Sequence, residues 1–386
     1  MKARIPRSKR QNVGLKEVAV RRCAALPLLV GATVVGLETI EGPGSAHLLA
    51  LPQDTRAAAP SPANPITAIL DAFRTHDIVT LTDPHGNVQM QAFLLSLIRD
   101  GQFPLAVNDI VIETASARYQ DAIDRFVRGE EVPYDILRKA WEDHTVVNSI
   151  GTQAEEMIRA VRTVNAALSD GRKLRIIAGD PPIDWNNITS PQDHRHWVEL
   201  RDSYPADTIR RQVLDRGRRA LVIYGQGHLQ RRQIASNFDM STWQSQTVVS
   251  LLEHDSPARI FNVWTLLDKD VDVRDVASWP VPSLAALRGT NLGARDFGTY
   301  WQGLGARAAV RNGQLVPLPR AEWKTMPIES EFDALLYLGP PSSMTTNTTL
   351  PAALCQDSQF VNTRLQRLAR FAPPVEVDRF KKACGM

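Results

Sequence analysis

The stretch IVTLTDPHGN, residues 78–87, predicts how the fold begins. Its first five residues are apolar or β-branched, which is typical of a buried strand, and a polar turn follows them. The next apolar residues are spaced as on one face of a helix: Met90, Phe93, Leu94, Leu97 and Ile98. Asn87 is suited to cap this helix and Gly101 to end it. A strand, a turn and a helix in this order predict a βαβ unit.

The same alternation continues through the middle of the chain. Strands are predicted at 106–113, 173–180 and 219–225, and helical segments separate them. Alternating strands and helices favour one sheet with helices on its faces. The predicted fold class is α/β, a mostly parallel β-sheet flanked by helices, with an irregular C-terminal extension.

The remaining segments are less regular. Apolar runs predict further strands at 246–254, 258–267 and 332–339. Residues 268–331 have no clean periodicity, and we expect an irregular segment there. A long polar loop is expected at 181–197, and a loop of this length indicates a functional segment or a lid.

The N-terminal region has the composition of a secretory signal. Residues 1–22 carry a net charge of +7, and an uncharged, mostly apolar run follows at 23–37. This run is shorter than the roughly 20 residues of a membrane span. We therefore expect export to the periplasm or the outside of the cell, with an uncleaved N-terminal anchor as the alternative.

Composition also divides the chain into segments. The predicted organisation is a signal peptide or anchor at 1–46, a linker at 47–65, an α/β domain at 66–340 and a C-terminal tail at 341–386. The whole chain has a net charge of +3, so removing the basic leader leaves about −4. A basic surface for polyanions is therefore not expected on the folded domain, and nucleic acid is excluded as a partner.

Two cysteines remain after the leader, Cys355 and Cys384. In an oxidising compartment an even number of cysteines permits a disulfide that would fix the C-terminal tail. Two free buried thiols are the alternative, and the sequence does not choose between them.

Ionisable residues lie where the predicted parallel strands end. Asp83 and His85 follow the first strand, Glu113 ends the second, Asp180 ends the third, and His228 follows the fourth in GQGH. The ligand crevice of an open parallel sheet lies at this edge. Two imidazoles and a carboxylate there can hold a divalent metal, or act as a general base with its orienting partner.

Each of these residues also has a purely structural interpretation. Glu113 can form an ion pair with Arg118, and Asp180 can serve as a turn former before two prolines. His194 and His196 have ligand-like spacing, but a charged, exposed loop explains them better. The GQGHLQ segment lacks the third glycine of a dinucleotide-binding loop.

Three motifs together resemble those of the ChaN-like/Tiki superfamily, which includes erythromycin esterase-like hydrolases. They are DPHGN after the first strand, IVIE in the second and ALVIYGQGH at the fourth. The pair Arg201-Asp202 is similar to an Arg-Asp pair that these families place before a helix. One departure is Thr82-Asp83, where the family usually has Gly-Glu before the first histidine.

The resemblance implies several functions. In an exported hydrolase of small molecules or peptides, His85 or His228 would act as general base, with Glu113 orienting the water or helping these histidines hold a metal. Asp83, Asp180 and Arg201 would support the site. The first alternative is a haem or iron-uptake protein, as a homodimer, with a histidine or one of two tyrosines as axial ligand: Tyr119 or Tyr224. The second is a non-catalytic, partner-binding protein.

Overall fold

The computed structural model describes residues 57–148, 152–231, 246–255, 259–266, 274–297, 308–311, 314–317, 326–347 and 350–386. The predicted signal peptide or anchor lies outside the described residues, as does the linker up to residue 56. The rest of the predicted linker contacts the sheet. Ala63 exchanges two backbone hydrogen bonds with Leu284, of 2.9 and 3.0 Å.

The described residues contain nine strands. They are β1 (Ile78–Thr82), β2 (Asp109–Ser116), β3 (Arg175–Asp180), β4 (Ala220–Tyr224), β5 (Ile260–Leu266), β6 (Ser283–Ala286), β7 (Ala308–Arg311), β8 (Gln314–Pro317) and β9 (Ala334–Tyr337). Seven of them form one sheet in the order β3-β2-β4-β1-β5-β9-β6, while β7 and β8 pair separately. Within the seven-stranded sheet only the edge pair of β6 and β9 is antiparallel. The predicted α/β class with a mostly parallel sheet is confirmed.

Helices lie between and after the strands. They are α1 (Pro65–Ala72), α2 (Val88–Arg99), α3 (Phe103–Ala106), α4 (Gln120–Arg128), α5 (Tyr134–Leu137), α6 (Lys139–Glu142), α7 (Gln153–Asn165), α8 (Pro191–Glu199), α9 (Ser203–Gln212), α10 (Gln226–Leu229), α11 (Val248–Asp255), α12 (Ile328–Glu331), α13 (Ala352–Gln356), α14 (Ser358–Phe371) and α15 (Pro374–Ala383). Asn87 caps α2 as predicted, because its side chain accepts a 2.7 Å hydrogen bond from the amide of Met90. None of the described helices is both long and apolar enough to cross a membrane.

Different helices pack on the two faces of the sheet. Leu81, Ile112 and Ile223 point to the face covered by α2, α4 and α7, with which they share one apolar cluster. Val111 and Val222 point to the opposite face, where α9 and α11 pack. Since side chains alternate along a strand, both faces of the central strands must be apolar. Their sequences therefore read as continuous apolar runs.

Two expectations for the second half of the chain were wrong. Residues 246–254 contain no strand, because helix α11 occupies them and buries Val248, Val249 and Leu252 against the sheet. A short β-branched run can fit a helix when tertiary packing buries one face. The segment 268–331, expected to be irregular, contains β6, β7, β8 and α12 among its described residues.

Two further segments are more ordered than the sequence indicated. The long polar loop holds α8, which begins with a capping box between Ser190 and Asp193. The C-terminal tail, expected to be irregular, is mostly helical in its described residues and forms α13, α14 and α15. A disulfide joins Cys355 to Cys384, whose Cα atoms are 5.3 Å apart. Of the two interpretations of these cysteines, the structure has the disulfide.

Candidate functional site

Strand order brings the predicted site residues together. Strand β4 lies between β2 and β1, so the C-terminal ends of these three strands are adjacent. Thr82 pairs with Tyr224, and Ile112 pairs with Ile223, which places Glu113 level with the end of β4. Side chains that leave this edge can therefore meet above β4.

The sequence predicted that Glu113 ends its strand. This was wrong, because β2 continues to Ser116. Ile112 pairs with Ala178 of β3 and Ser116 pairs with Asp180, so four steps along β2 match two along β3. Such a bulge locally changes the direction of side chains and is frequent beside active sites. Glu113 stands at the start of this irregularity.

Two imidazoles contact the Glu113 carboxylate in the same way. Nε2 of His85 lies 3.3 Å from Oε2, and Nε2 of His228 lies 3.5 Å from Oε1. The other ring nitrogen of each histidine meets an aspartate: Nδ1 of His85 is 3.0 Å from Asp83 Oδ2, and Nδ1 of His228 is 2.8 Å from Asp202 Oδ1. Each aspartate thus fixes the orientation of a ring and leaves its Nε2 for the centre of the site.

Arg201 and Asp180 complete the polar cluster. Nη2 of Arg201 donates to Oε1 of Glu113, and its Nε lies 3.8 Å from Oδ1 of Asp180. Asp180 is buried and accepts hydrogen bonds from Thr145, over 2.7 Å from its amide and 2.5 Å from its hydroxyl. Asp180 is therefore more than a turn former, because it links the 145 region to the arginine of the site.

The charges in the cluster shift three pKa values. Burial would lower the pKa of His85, but Glu113 and Asp83 outweigh burial and raise it well above 6.5. Burial would also lower the pKa of His228, but Asp202 and Glu113 outweigh burial and raise it. Burial would raise the pKa of Glu113, but both imidazoles and Arg201 hold it well below 4.5. All three shifts favour the charged forms, a carboxylate between two imidazolium rings.

Two buried neighbours respond differently. Burial raises the pKa of Asp180 to about 7, against the opposing effects of Arg201 and Thr145. Burial lowers the pKa of His144 to about 3, and its Nδ1 accepts a 3.1 Å hydrogen bond from the amide of Val146. His144 is therefore neutral at physiological pH.

Exposure distinguishes the members of the cluster. The side chain of His85 is 43% exposed, whereas those of His228 and Glu113 are 19% and 6% exposed. Gly225 lies at the centre of the three, and its amide donates to Oε2 of Glu113 over 2.5 Å. Oδ1 of Asp83 is buried, and the part of the chain that the structure describes gives it no hydrogen-bond partner. Of the three side chains, that of His85 is therefore the most accessible.

The donor set does not fit the metal that His85, Glu113 and His228 were expected to hold. One oxygen of Glu113 accepts from the cationic Arg201, and the other accepts from the amide of Gly225. A metal ion on either oxygen would share the carboxylate with one of these donors, and on Oε1 that donor is a cationic guanidinium. Among the described residues no group of three His, Cys, Asp or Glu side chains has an arrangement suited to a metal ion.

The two tyrosines considered as haem ligands have different surroundings. The Tyr119 hydroxyl donates to Asp143 over 2.8 Å. Tyr224 is buried, and its hydroxyl fills the space above Gly179, where a Cβ atom would lie only 1.8 Å from it. The ring of Tyr224 lies 5.9 Å from that of His228, so this tyrosine adjoins the site although its hydroxyl is buried.

Other sequence interpretations are also resolved. Arg118 pairs with Asp184 over 2.9 Å, so it is not the partner that the structural interpretation of Glu113 required. His194 belongs to α8, is half-buried, and lies 2.8 Å from the carbonyl oxygen of Thr145. His196 is exposed. Neither histidine joins the cluster around Glu113.

The sequence did not predict the roles of several residues at or beside the site. Asp202 was noted only as part of a motif, yet its side chain holds His228 and makes no capping hydrogen bond to α9. Its position before a helix resembled an ordinary N-cap. Thr145 and His144 had no sequence signal, because their role depends on contacts between distant segments.

No protein-family model matches the sequence, and no curated protein sequence matches it. Solved structures do share its fold. A succinoglycan biosynthesis protein is 10% identical, with a TM-score of 0.50, 72% of this chain and 94% of the other being covered. An erythromycin esterase, EreC, in an open conformation is 11% identical, with a TM-score of 0.46 and coverage of 72% and 93%.

A third similar structure is ChaN of Campylobacter jejuni, with cofacial haem binding, at 13% identity, a TM-score of 0.36, and coverage of 55% and 89%. The chain thus shares an α/β fold with the succinoglycan biosynthesis protein. At these identities the likeness shows the fold alone.

Proposed function

We propose that this chain is an exported hydrolase that cleaves an ester, lactone or peptide bond in a small molecule or peptide. The observation that carries the proposal is the arrangement around Glu113: two imidazoles aim Nε2 at one buried carboxylate, while a separate aspartate holds each Nδ1. A purely structural cluster has no need to orient two rings toward one accessible edge.

In this proposal His85 is the general base. It is the most exposed member of the cluster, and Asp83 holds its Nδ1 so that Nε2 can take a proton from water. The pKa of His85 is raised, so it becomes a base only after losing its own proton. We therefore expect the rate to increase with pH through an apparent pKa above 6.5.

His228 and Arg201 would act on the other side of the reacting group. The pKa of His228 is raised by Asp202 and Glu113, which favours the imidazolium, a donor to a developing negative charge or to the leaving group. Arg201 is 11% exposed and adds a positive charge against Glu113. Glu113 keeps both rings aligned and balances their charge.

Haem binding has less support, because Tyr119 donates to Asp143 and Tyr224 is fully buried. Export is supported by the disulfide between Cys355 and Cys384, since disulfides persist mainly in oxidising compartments.

A substrate screen with three variants tests the proposal. The purified protein is assayed on ester, lactone and peptide libraries, alongside His85→Ala, His228→Ala and the control His76→Ala. His76 lies just before β1, at the opposite end of that strand, and contacts the backbone of Ala72. We expect both site variants to lose at least about a hundredfold in rate and the control to keep it. Equal turnover in all three folded variants contradicts the proposal.

A further inference from the structure

The C-terminal helices pack on a segment that forms one wall of the site. Val147 is 5% exposed and belongs to the apolar cluster of these helices. The other fully buried members all come from the tail: Leu350, Phe360, Val361, Leu368 and Phe380. The tail therefore builds its own small core around a residue of the preceding domain.

Two arginines of α14 hold the same segment by polar contacts. Arg364 is 5% exposed and donates to the carbonyl oxygens of Val147 and Glu142, over 2.9 and 3.3 Å. Arg367 donates to Oδ1 of Asp143 over 2.6 Å and lies 4.4 Å from the ring of Trp185. Together they fix both ends of residues 142–147.

Asp143 is held from three sides. Besides Arg367, the hydroxyl of Tyr119 donates to its Oδ2 over 2.8 Å, and Nε1 of Trp185 donates to its backbone oxygen over 3.1 Å. Two residues further on, Thr145 donates twice to Asp180. Asp180 in turn lies beside Arg201, which contacts Glu113. A continuous set of contacts thus runs from α14 to the centre of the site.

We propose that the C-terminal helical segment, residues 350–386, is an integral part of the active site, and that Arg364 and Arg367 are positioning residues for Thr145 and Asp180. The consequence for turnover rests on the proposed hydrolase function, whereas the coupling between helix α14 and the site does not. The tail is thus more than a stabilising addition to the α/β domain.

The burial of Arg364 supports this role. Burial lowers its pKa to about 10, and its neutral carbonyl acceptors do not compensate a cation as a carboxylate would. An apolar residue at this place would pack at a lower cost in desolvation. What the guanidinium adds is a fork of donors that joins two separate backbone carbonyls. The disulfide between Cys355 and Cys384 links the segment before α14 to the end of α15 and so keeps the helices on the segment.

The test compares Arg367→Ala with Arg367→Lys and with the control Arg379→Ala. Arg379 lies on α15, is 62% exposed, and pairs with Glu376 of its own helix, so its removal leaves the contacts to 142–147 intact. Two measurements need no substrate: amide hydrogen exchange at Thr145, and NMR titration of the rings of His85 and His228. A third is kcat and KM on whichever substrate the wild type turns over.

We expect Arg367→Ala to accelerate exchange of the Thr145 amide at least tenfold and to shift the titration of His85 or His228, while Arg379→Ala matches wild type. Arg367→Lys should lie between Arg367→Ala and the wild type in both measurements, because an ammonium group can still pair with Asp143. On a substrate, kcat should fall about tenfold or more with little change in KM, since reacting groups are misplaced and not removed.

The outcomes separate the two ideas. Unchanged Thr145 exchange and unchanged histidine titration in a folded Arg367→Ala variant overturn the positioning role. If Arg367→Ala does not fold, the double variant Cys355→Ser/Cys384→Ser is measured in its place. If that variant loosens the helices but the Thr145 amide still exchanges at the wild-type rate, the positioning role is likewise overturned. Coupling seen by NMR in a protein that cleaves no substrate contradicts only the hydrolase proposal.

Discussion

The amide of Gly225 donates to Oε2 of Glu113 over 2.5 Å, and a Cβ atom on Gly225 would lie 3.2 Å from that same oxygen. The same Cβ atom would lie 3.4 Å from Nε2 of His85 and 3.8 Å from Cδ2 of His228. The backbone of β4 thus passes directly beneath the meeting point of the three side chains. A side chain at this position would occupy the space where a substrate must bind.

Gly225→Ala should remove activity without removing the fold. The φ angle of Gly225 is −55°, which alanine adopts without strain, so the added methyl group acts mainly by crowding Glu113 and His85. We expect kcat/KM to fall at least about tenfold, with a change in Tm of a few degrees at most. Gly227→Ala is the matched control, because a Cβ atom there meets nothing within 4 Å. Equal losses in both variants would show that the crowding is not the cause.

Glu113→Gln should lower the pKa of both histidines. Burial already pushes each imidazole toward its neutral form, and the glutamate is a principal opposing charge for both rings. Without it, the pKa of His85 should fall, and the rise of the rate with pH that its deprotonation controls should move to lower pH. NMR titration of the ring protons measures this directly. A pKa for His85 that stays at its wild-type value would mean that Asp83 alone maintains the imidazolium.

The strand-end cluster was largely predictable from the sequence, since parallel strands present their C-terminal ends at one edge. Asp83, His85, Glu113 and His228 were expected together there, and their contacts confirm that placement. The order β2-β4-β1 was not predictable, because it depends on which strand inserts between two earlier ones. That order is what makes Gly225 central.

The remaining errors have a common physical origin in tertiary packing. Residues 248–255 are helical because Val248, Val249 and Leu252 fit the groove beside α9, although their β-branched composition favours a strand. The contacts of Arg364 and Arg367 join segments more than 200 residues apart in sequence. Periodicity reports only local structure, so no pattern could have revealed these contacts.

The two aspartates should be separable in their effects on the two histidines. Asp83→Asn should lower the pKa of His85 and leave that of His228 nearly unchanged, whereas Asp202→Asn should do the reverse. Each carboxylate contacts one Nδ1, at 3.0 and 2.8 Å. NMR titration of both variants provides the comparison, and each serves as the other's control. If both variants shift both rings equally, the aspartates act through Glu113 and not on their own histidines.

Removing the disulfide should destabilise the protein. Cys355 and Cys384 are 29 residues apart, and closing a loop of this length in the unfolded chain is worth about 3–4 kcal/mol in the chain-entropy model. Cys355→Ser/Cys384→Ser should therefore lower the free energy of unfolding by up to that amount, as measured by urea denaturation. A reducing agent should have the same effect on the wild type and none on the double variant. A double variant as stable as the wild type would show that α14 and α15 stay in place through their apolar cluster alone.

Glu142→Gln should stabilise the protein at alkaline pH. Burial raises the pKa of Glu142 to about 7 in spite of Arg138 and Arg364, and its buried Oε1 has no hydrogen-bond partner among the described residues. The folded state thus retains a proton that the unfolded chain releases near pH 4.5, so stability is lost as the pH rises from about 4.5 through 7. A neutral amide removes this loss, and we expect a gain of roughly 1–3 kcal/mol at pH 8 that disappears at pH 4.

Urea denaturation at pH 4 and pH 8 measures the change, and the exposed Glu130→Gln is the control, for which no such gain is expected. Lower stability of Glu142→Gln at pH 8 would contradict the prediction. It would mean that Glu142 is ionised in the folded protein and is stabilised by Arg138, whose Nε lies 3.5 Å from its Oε2, together with Arg364. The sign of the change therefore decides whether Glu142 is protonated or ionised in the folded protein at pH 8.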